Sequence, residues 1–245
     1  MDADSLPSRL SHISTMWSML DQVRDGQSEA ATAACNELMQ RYGGPIHRYL
    51  IAALRDTHAA DDLTQEFALG LVRGAYHNVS PERGRFRSYI KKVLFHLVSR
   101  YRRQEKKRGM PLPQDGRALE ELASPSHDLA LESAFEENWR DELLARTWET
   151  LGPAHPRLYA VLRLRAAHPD YSSEQLAELL GKKLGKSIKP ETVRQNLHRA
   201  RTLFAELLLQ EVACSLRCPT KQEIEQELSE LNLLTYCKLA LESRE

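Results

Sequence analysis

Apolar residues recur at helical spacing along nearly all of this chain, and no stretch alternates long enough to make a strand. That periodicity argues for an all-α protein whose cores are built by packing amphipathic helices. Two interruptions divide the pattern. Gly109-Met-Pro-Leu-Pro-Gln-Asp-Gly116 breaks helix and has turn character. Ser124-Pro-Ser-His127 repeats the break before periodicity resumes near Leu129. The expected organisation is a helical domain over residues 15–108, a linker over 109–133, a second helical domain over 134–213 and a helical extension over 214–245.

Charge follows the same divisions. The formal net charge is zero, but residues 81–108 carry 11 Lys/Arg against two acids, and residues 157–207 carry 10 against five. Between them, residues 109–156 hold three basic and 10 acidic residues. Two basic blocks separated by an acidic one suggest two nucleic-acid-facing modules joined by a segment that avoids or imitates nucleic acid.

In the first basic block, Phe86, Ile90, Val93, Leu94, Leu97 and Tyr101 fall on one face at about 100° per residue. Ser88, Lys91, Lys92, Ser99, Arg102 and Arg103 fall opposite with Phe95 among them, and Tyr89 and His96 lie on the border. Cations for phosphates and a ring for unstacked bases suit single-stranded nucleic acid. The same pattern also describes a solvated basic helix with one stray ring. Upstream, Asp62, Gln65 and Glu66 share one polar side at i, i+3, i+4 spacing, which reads as a solvated face or as a display of acceptors for a partner.

In the second basic block, Ser172 and Gln175 form a capping box ahead of Leu176, Ala177, Leu179 and Leu180, with Gly181 as the expected stop. Pro190 opens a second helix. Its apolar face holds Val193, Leu197, Ala200, Phe204 and Leu207, and its other face holds Arg194, Gln195, Asn196, His198, Arg199 and Arg201. Arg, Gln and Asn are the side chains that bond base edges bidentately in the major groove, so the pair is a helix-turn-helix candidate. After Pro219, Thr220 and Glu223 form another capping box, and Ile224, Leu228 and Leu231 make one apolar stripe. This tail is expected to fold back on the second module, the alternative being a partner or regulator surface.

Other classes find little support. The acidic start, Met1-Asp-Ala-Asp-Ser, is unlike a signal peptide, and no apolar run reaches the ~20 residues of a membrane span, so a cytoplasmic protein is expected. Cys35, Cys214, Cys218 and Cys237 offer one close pair and no nearby His, so neither a metal site nor a cofactor is expected. Gly181-Lys-Lys-Leu-Gly-Lys-Ser187 is one residue short of a phosphate-binding loop and no strand precedes it. No catalytic motif is present, which argues against an enzyme.

Ala60-Asp-Asp-Leu-Thr-Gln-Glu-Phe67, then Gly84-Arg-Phe-Arg-Ser-Tyr-Ile90 and a basic helix with Arg100-Tyr-Arg-Arg103, resembles the second conserved region of bacterial sigma factors, in spacing most like the extracytoplasmic-function (ECF) type. Leu151-Gly-Pro, Val161-Leu-Arg-Leu-Arg, Glu174 to Gly181 and Thr192 to Arg201 are similar to that family's fourth region. The resemblance implies a helical bundle and a helix-turn-helix domain joined by an acidic linker. It implies core RNA polymerase as partner through the β′ clamp helices and the β subunit, with Asp62, Gln65 and Glu66 as contacts. Promoter DNA, double-stranded and melted, is the second implied partner, and an anti-sigma or other regulator a further one. The implied minus-ten contacts are Arg85, Arg87, Tyr89, Lys92, Phe95, His96, Ser99, Arg100 and Arg103. The implied minus-thirty-five contacts are Thr192, Arg194, Gln195, Asn196, His198, Arg199 and Arg201.

Four departures stand out. Ala68 replaces a usual aromatic, Tyr89 and His96 stand where the family often has Trp and Asn, and Lys182 to Glu191 lengthens the turn. The competing reading is a helix-turn-helix regulator with an N-terminal sensing or dimerisation domain.

Overall fold

The computed structural model describes residues 16–24, 29–73, 75–76, 85–108, 125–217 and 219–242. Arg83 and Gly84, most of the expected linker and Cys218 lie outside the described residues. Those described form ten helices: α1 (Met16–Arg24), α2 (Glu29–Leu54), α3 (Thr57–Val72), α4 (Phe86–Arg108), α5 (Pro125–Ala154), α6 (Pro156–Ala167), α7 (Ser173–Leu184), α8 (Pro190–Cys214), α9 (Lys221–Glu230) and α10 (Leu234–Glu242). The fold is all-α, as the periodicity requires; the one isolated β-bridge among the described residues joins Arg85 to Leu216.

Local chemistry sets many of the boundaries. Asp56 caps α3, its carboxylate accepting from the amides of His58 and Ala59 at 2.9 and 3.1 Å. Ser172–Gln175 and Thr220–Glu223 are complete capping boxes at the starts of α7 and α9. The break at Ser124-Pro is shorter than the residues suggest, because Pro125 opens α5 from the first helical position, where its missing amide costs nothing. Gly181 does not stop α7. The helix runs to Leu184 and ends on Gly185, whose φ of 64° is the left-handed conformation that glycine adopts without a Cβ penalty. Gly181 is instead a point of close approach, since a Cβ there would meet the Lys186 carbonyl oxygen at 2.9 Å.

Two separate apolar cores hold the helices. The larger joins α1 to α5 with the C-terminal half of α8, α9 and α10. At its centre Tyr42 stacks on Trp139 at 4.5 Å, and Phe86 and Phe135 lie at 6.3 and 5.8 Å from Trp139. The smaller gathers Val161 and Leu164 of α6, Leu176, Ala177 and Leu180 of α7, and Val193 and Leu197 of α8. Helix α8, roughly 37 Å long at 1.5 Å per residue, therefore belongs to both.

This division differs from the one expected. Leu131, Phe135, Trp139 and Leu143, from the segment assigned to the linker and the second domain, are buried in the larger core. The extension does fold back on α8, but Ile224, Leu228, Leu231 and Leu233 enter the larger core rather than the smaller one. The physical reason is simple: each added helix covers apolar surface that α4, α5 and the end of α8 already expose together.

Candidate nucleic-acid interface

Helix α3 buries Ala59, Ala60, Leu63, Phe67, Gly70 and Leu71, which turns Asp62 and Gln65 to solvent. Glu66 is half-exposed and ion-paired with Arg100 of α4. The neighbouring Asp61 carboxylate meets Nε2 of His47, on α2, at 2.7 Å. The three acceptors expected to share a side therefore do, and Glu66 ties that side to the basic helix.

Helix α4 buries Phe86, Ile90, Val93, Leu94 and Leu97 and leaves Tyr101 half-buried, the face that its periodicity predicts. Six expected contacts, Lys92, Phe95, His96, Ser99, Arg100 and Arg103, form one stripe at i, i+3, i+4, i+7, i+8, i+11 on the outer surface. Phe95 is 55% exposed, and its ring meets that of His96 edge-on with centroids 6.1 Å apart. A large ring left in water beside cations, on a helix with a full apolar face elsewhere, is an available stacking platform. Arg102, placed on the polar side by spacing alone, instead donates to the Ala53 carbonyl at 2.9 Å, satisfying an oxygen in the last turn of α2.

The other three expected minus-ten contacts, Arg85 just ahead of α4 and Arg87 and Tyr89 in its first turns, lie inside the protein. Tyr89 is 3% exposed and packs edge-on against Trp17 at 5.6 Å. Arg85 and Arg87 are 6% and 5% exposed and so present no surface to nucleic acid in this arrangement. Nε and Nη2 of Arg87 donate to the two carboxylate oxygens of Glu227 at 2.9 and 3.2 Å. Nη2 also reaches Glu230 at 2.9 Å, and Nη1 donates to Glu136 at 3.0 Å. Arg85 pairs with Glu230 as well, and lies 3.4 Å from Glu227. Burial alone would lower the pKa of the Arg87 guanidinium; Glu227, with Glu136 and Glu230, more than offsets this and holds it above its ordinary value. Burial likewise pushes Glu230 up, but the hydrogen bond and charge of Arg85, with Arg87, hold its carboxyl below the usual glutamate range.

The acids of this cluster were not among the expected site residues. A signal for one existed: Glu227 sits with Ile224, Leu228 and Leu231 at i, i+3, i+4, i+7 spacing, a carboxylate inside an apolar stripe. Such a group needs a cationic partner if the stripe is buried.

Helix α8 presents the opposite arrangement. Val193, Leu197 and Ala200 are buried, while Thr192, Arg194, Gln195, His198, Arg199 and Arg201 are exposed and Asn196 is partly so. Arg194 pairs locally with Glu191 at 3.1 Å and lies 4.0 Å from Glu174 of α7, both in solvent. The seven expected contacts thus lie on or beside one open face. The stretch from Lys182 to Glu191 is the last three residues of α7, the segment Gly185 to Lys189 and the first two residues of α8.

Residues 38–108 match the Sigma-70 region 2 family. This supports a sigma-factor family. The matched segment covers most of α2 and all of α3 and α4, so it includes the Asp62 side and the whole exposed stripe. It ends at Arg108, and α5 to α10 lie outside it. No curated protein and no solved structure matches the chain. Among the described residues, no helix is long and apolar enough to cross a membrane, and no cluster of three His, Cys, Asp or Glu side chains could hold a metal ion.

Proposed function

We propose that the chain is a sigma factor of the extracytoplasmic-function type, which binds core RNA polymerase and directs promoter recognition and melting. The observation that carries this reading is the coincidence of the region 2 match with a helix that keeps its apolar face buried and a ring-and-cation stripe exposed. In this reading Asp62, Gln65 and Glu66 contact the β′ clamp helices. The stripe Lys92, Phe95, His96, Ser99, Arg100 and Arg103 captures one strand at minus ten. Helices α7 and α8 act as a helix-turn-helix unit, with Arg194, Gln195 and Asn196 reading base edges at minus thirty-five and Thr192, His198, Arg199 and Arg201 contacting the backbone. The protein performs no bond chemistry; the polymerase does.

Run-off transcription with core polymerase on a promoter library tests activity and specificity together. Transcripts that start at a shared pair of elements, and that need this protein, are expected. A chain that binds DNA but neither retains core polymerase in a pull-down nor supports initiation is a plain regulator, and the sigma reading fails.

A further inference from the structure

We propose that α9 is a built-in competitor for nucleic acid: Glu227 and Glu230 clasp Arg85 and Arg87, and must let go before this end of α4 can meet a phosphate backbone. The inference rests on the reading of α4 as a DNA-contacting helix, and four observations carry it. First, the two guanidinium groups are spent on carboxylates and lie 6% and 5% exposed, so nucleic acid and α9 cannot hold them together. Carboxylate and phosphate oxygens make the same charge-assisted, bidentate contacts with Arg, so each is a direct substitute for the other.

Second, the clasping acids stand 140 or more residues from their partners, on a segment beyond the region 2 match. Third, the backbone of α9 packs on α8 and α10, and α9 meets α4 through these ion pairs. The Phe86 amide also donates to the Ser215 carbonyl at 2.9 Å and Arg85 bridges to Leu216, both in the connection between α8 and α9, while Ile224 and Leu228 of α9 share the larger core with Phe86 and Ile90. Fourth, Glu230 is the last residue of α9 and its side chain is 38% exposed, which gives an incoming anion an edge at which to start exchange. The stripe from Lys92 to Arg103 lies on the outer surface, with Arg100 paired to Glu66 of α3, so a strand can dock there first and then displace the acids.

The test uses the full-length chain and a labelled single-stranded oligonucleotide of mixed sequence, with affinity measured across a salt series. E230Q is expected to tighten binding roughly threefold and E227Q/E230Q roughly tenfold, with a salt slope steeper by about 1.4, the value for two more phosphates at ~0.7 each. E225Q removes the same charge from α9 without touching either arginine, and should behave as wild type. Amides of α9 in the wild type should exchange faster with solvent once oligonucleotide is bound. Wild-type affinity and slope in folded E230Q overturn the proposal, as do an equal gain in E225Q or α9 exchange that ignores the oligonucleotide. Should E227Q/E230Q fail to fold, E230Q alone decides, because its carboxylate is partly in solvent already. Core-polymerase pull-down of the wild type runs beside the series. Its failure sinks the sigma reading, while the oligonucleotide series still reports whether α9 and nucleic acid compete.

Discussion

The start of α4 and the start of α8 are both basic, and both were expected to touch DNA, yet one is closed and the other bare. On α8 the cations project away from a small core, and the acids near Arg194 sit beside it in water. Such pairs are worth little and yield readily to a phosphate. At the start of α4 the two arginines, Arg85 just before the helix and Arg87 in its first turn, are buried and faced by Glu227 at 1% exposure. A buried pair of this kind is held nearly all-or-none, because separating the charges leaves one of them desolvated and alone. A basic block therefore marks available charge only where no acidic helix elsewhere in the fold can reach it.

The comparison breaks first at Arg87. Replacing it with Ala strands Glu227 beside Arg85 alone, and should cost about 3–5 kcal/mol of stability in urea unfolding. Arg194→Ala on the bare helix should cost less than about 0.5 kcal/mol. A loss below about 1 kcal/mol for Arg87→Ala would show that the clasp is no tighter than the surface pairs on α8.

Acid should loosen the same cluster. Because Glu230 is held below its ordinary pKa in the folded chain, the stability it contributes is present above the unfolded glutamate value, about 4.3. It is lost as pH falls through the lower folded value. Thermal unfolding should therefore fall off below about pH 4.3 more steeply in wild type than in E230Q. Parallel curves for the two proteins would mean that Glu230 is not coupled to the arginines in solution.

Most of the helices were legible because their apolar spacing and their caps agree, as at Ser172 and Thr220. What spacing does not say is which core an apolar face will enter. Leu131, Phe135, Trp139 and Leu143 look the same whether they pack on α2 or on α7, so the boundary drawn at residue 134 cuts through one core. Glycine punctuation misled in the same way: Gly181 was the expected stop, but α7 runs through it to Gly185 at φ 64°, and Gly181 answers instead to the close approach of the Lys186 carbonyl. At the candidate site, the stripe from Lys92 to Arg103 follows from helix periodicity. The burial of Arg85 and Arg87 does not, because their partners stand so far along the chain.

A smaller effect tests whether the two regions fold separately. Gly185→Ala meets no neighbouring atom, so its cost is the left-handed backbone alone, about 1–2 kcal/mol. If the smaller core is a unit of its own, amides of α6 and α7 should lose protection by that amount while those of α4 keep theirs. Equal loss in both would show that α8, which runs through both cores, couples them into one cooperative structure.

An equally small change in stability is expected at Phe95, and it bears most directly on what the open part of α4 does. At 55% exposure the ring contributes little to the fold, so Phe95→Ala should change the unfolding free energy by no more than about 0.5 kcal/mol. A stacked base loses about 1–3 kcal/mol when its aromatic partner is removed. Open-complex formation on a promoter, followed by permanganate reactivity of unpaired thymines, should therefore drop about 5- to 150-fold in equilibrium constant, while binding of core polymerase holds. Wild-type opening with a clear loss of stability would place Phe95 in the core instead. The contrast within α4 would then vanish, because neither end of the helix would face nucleic acid through its rings.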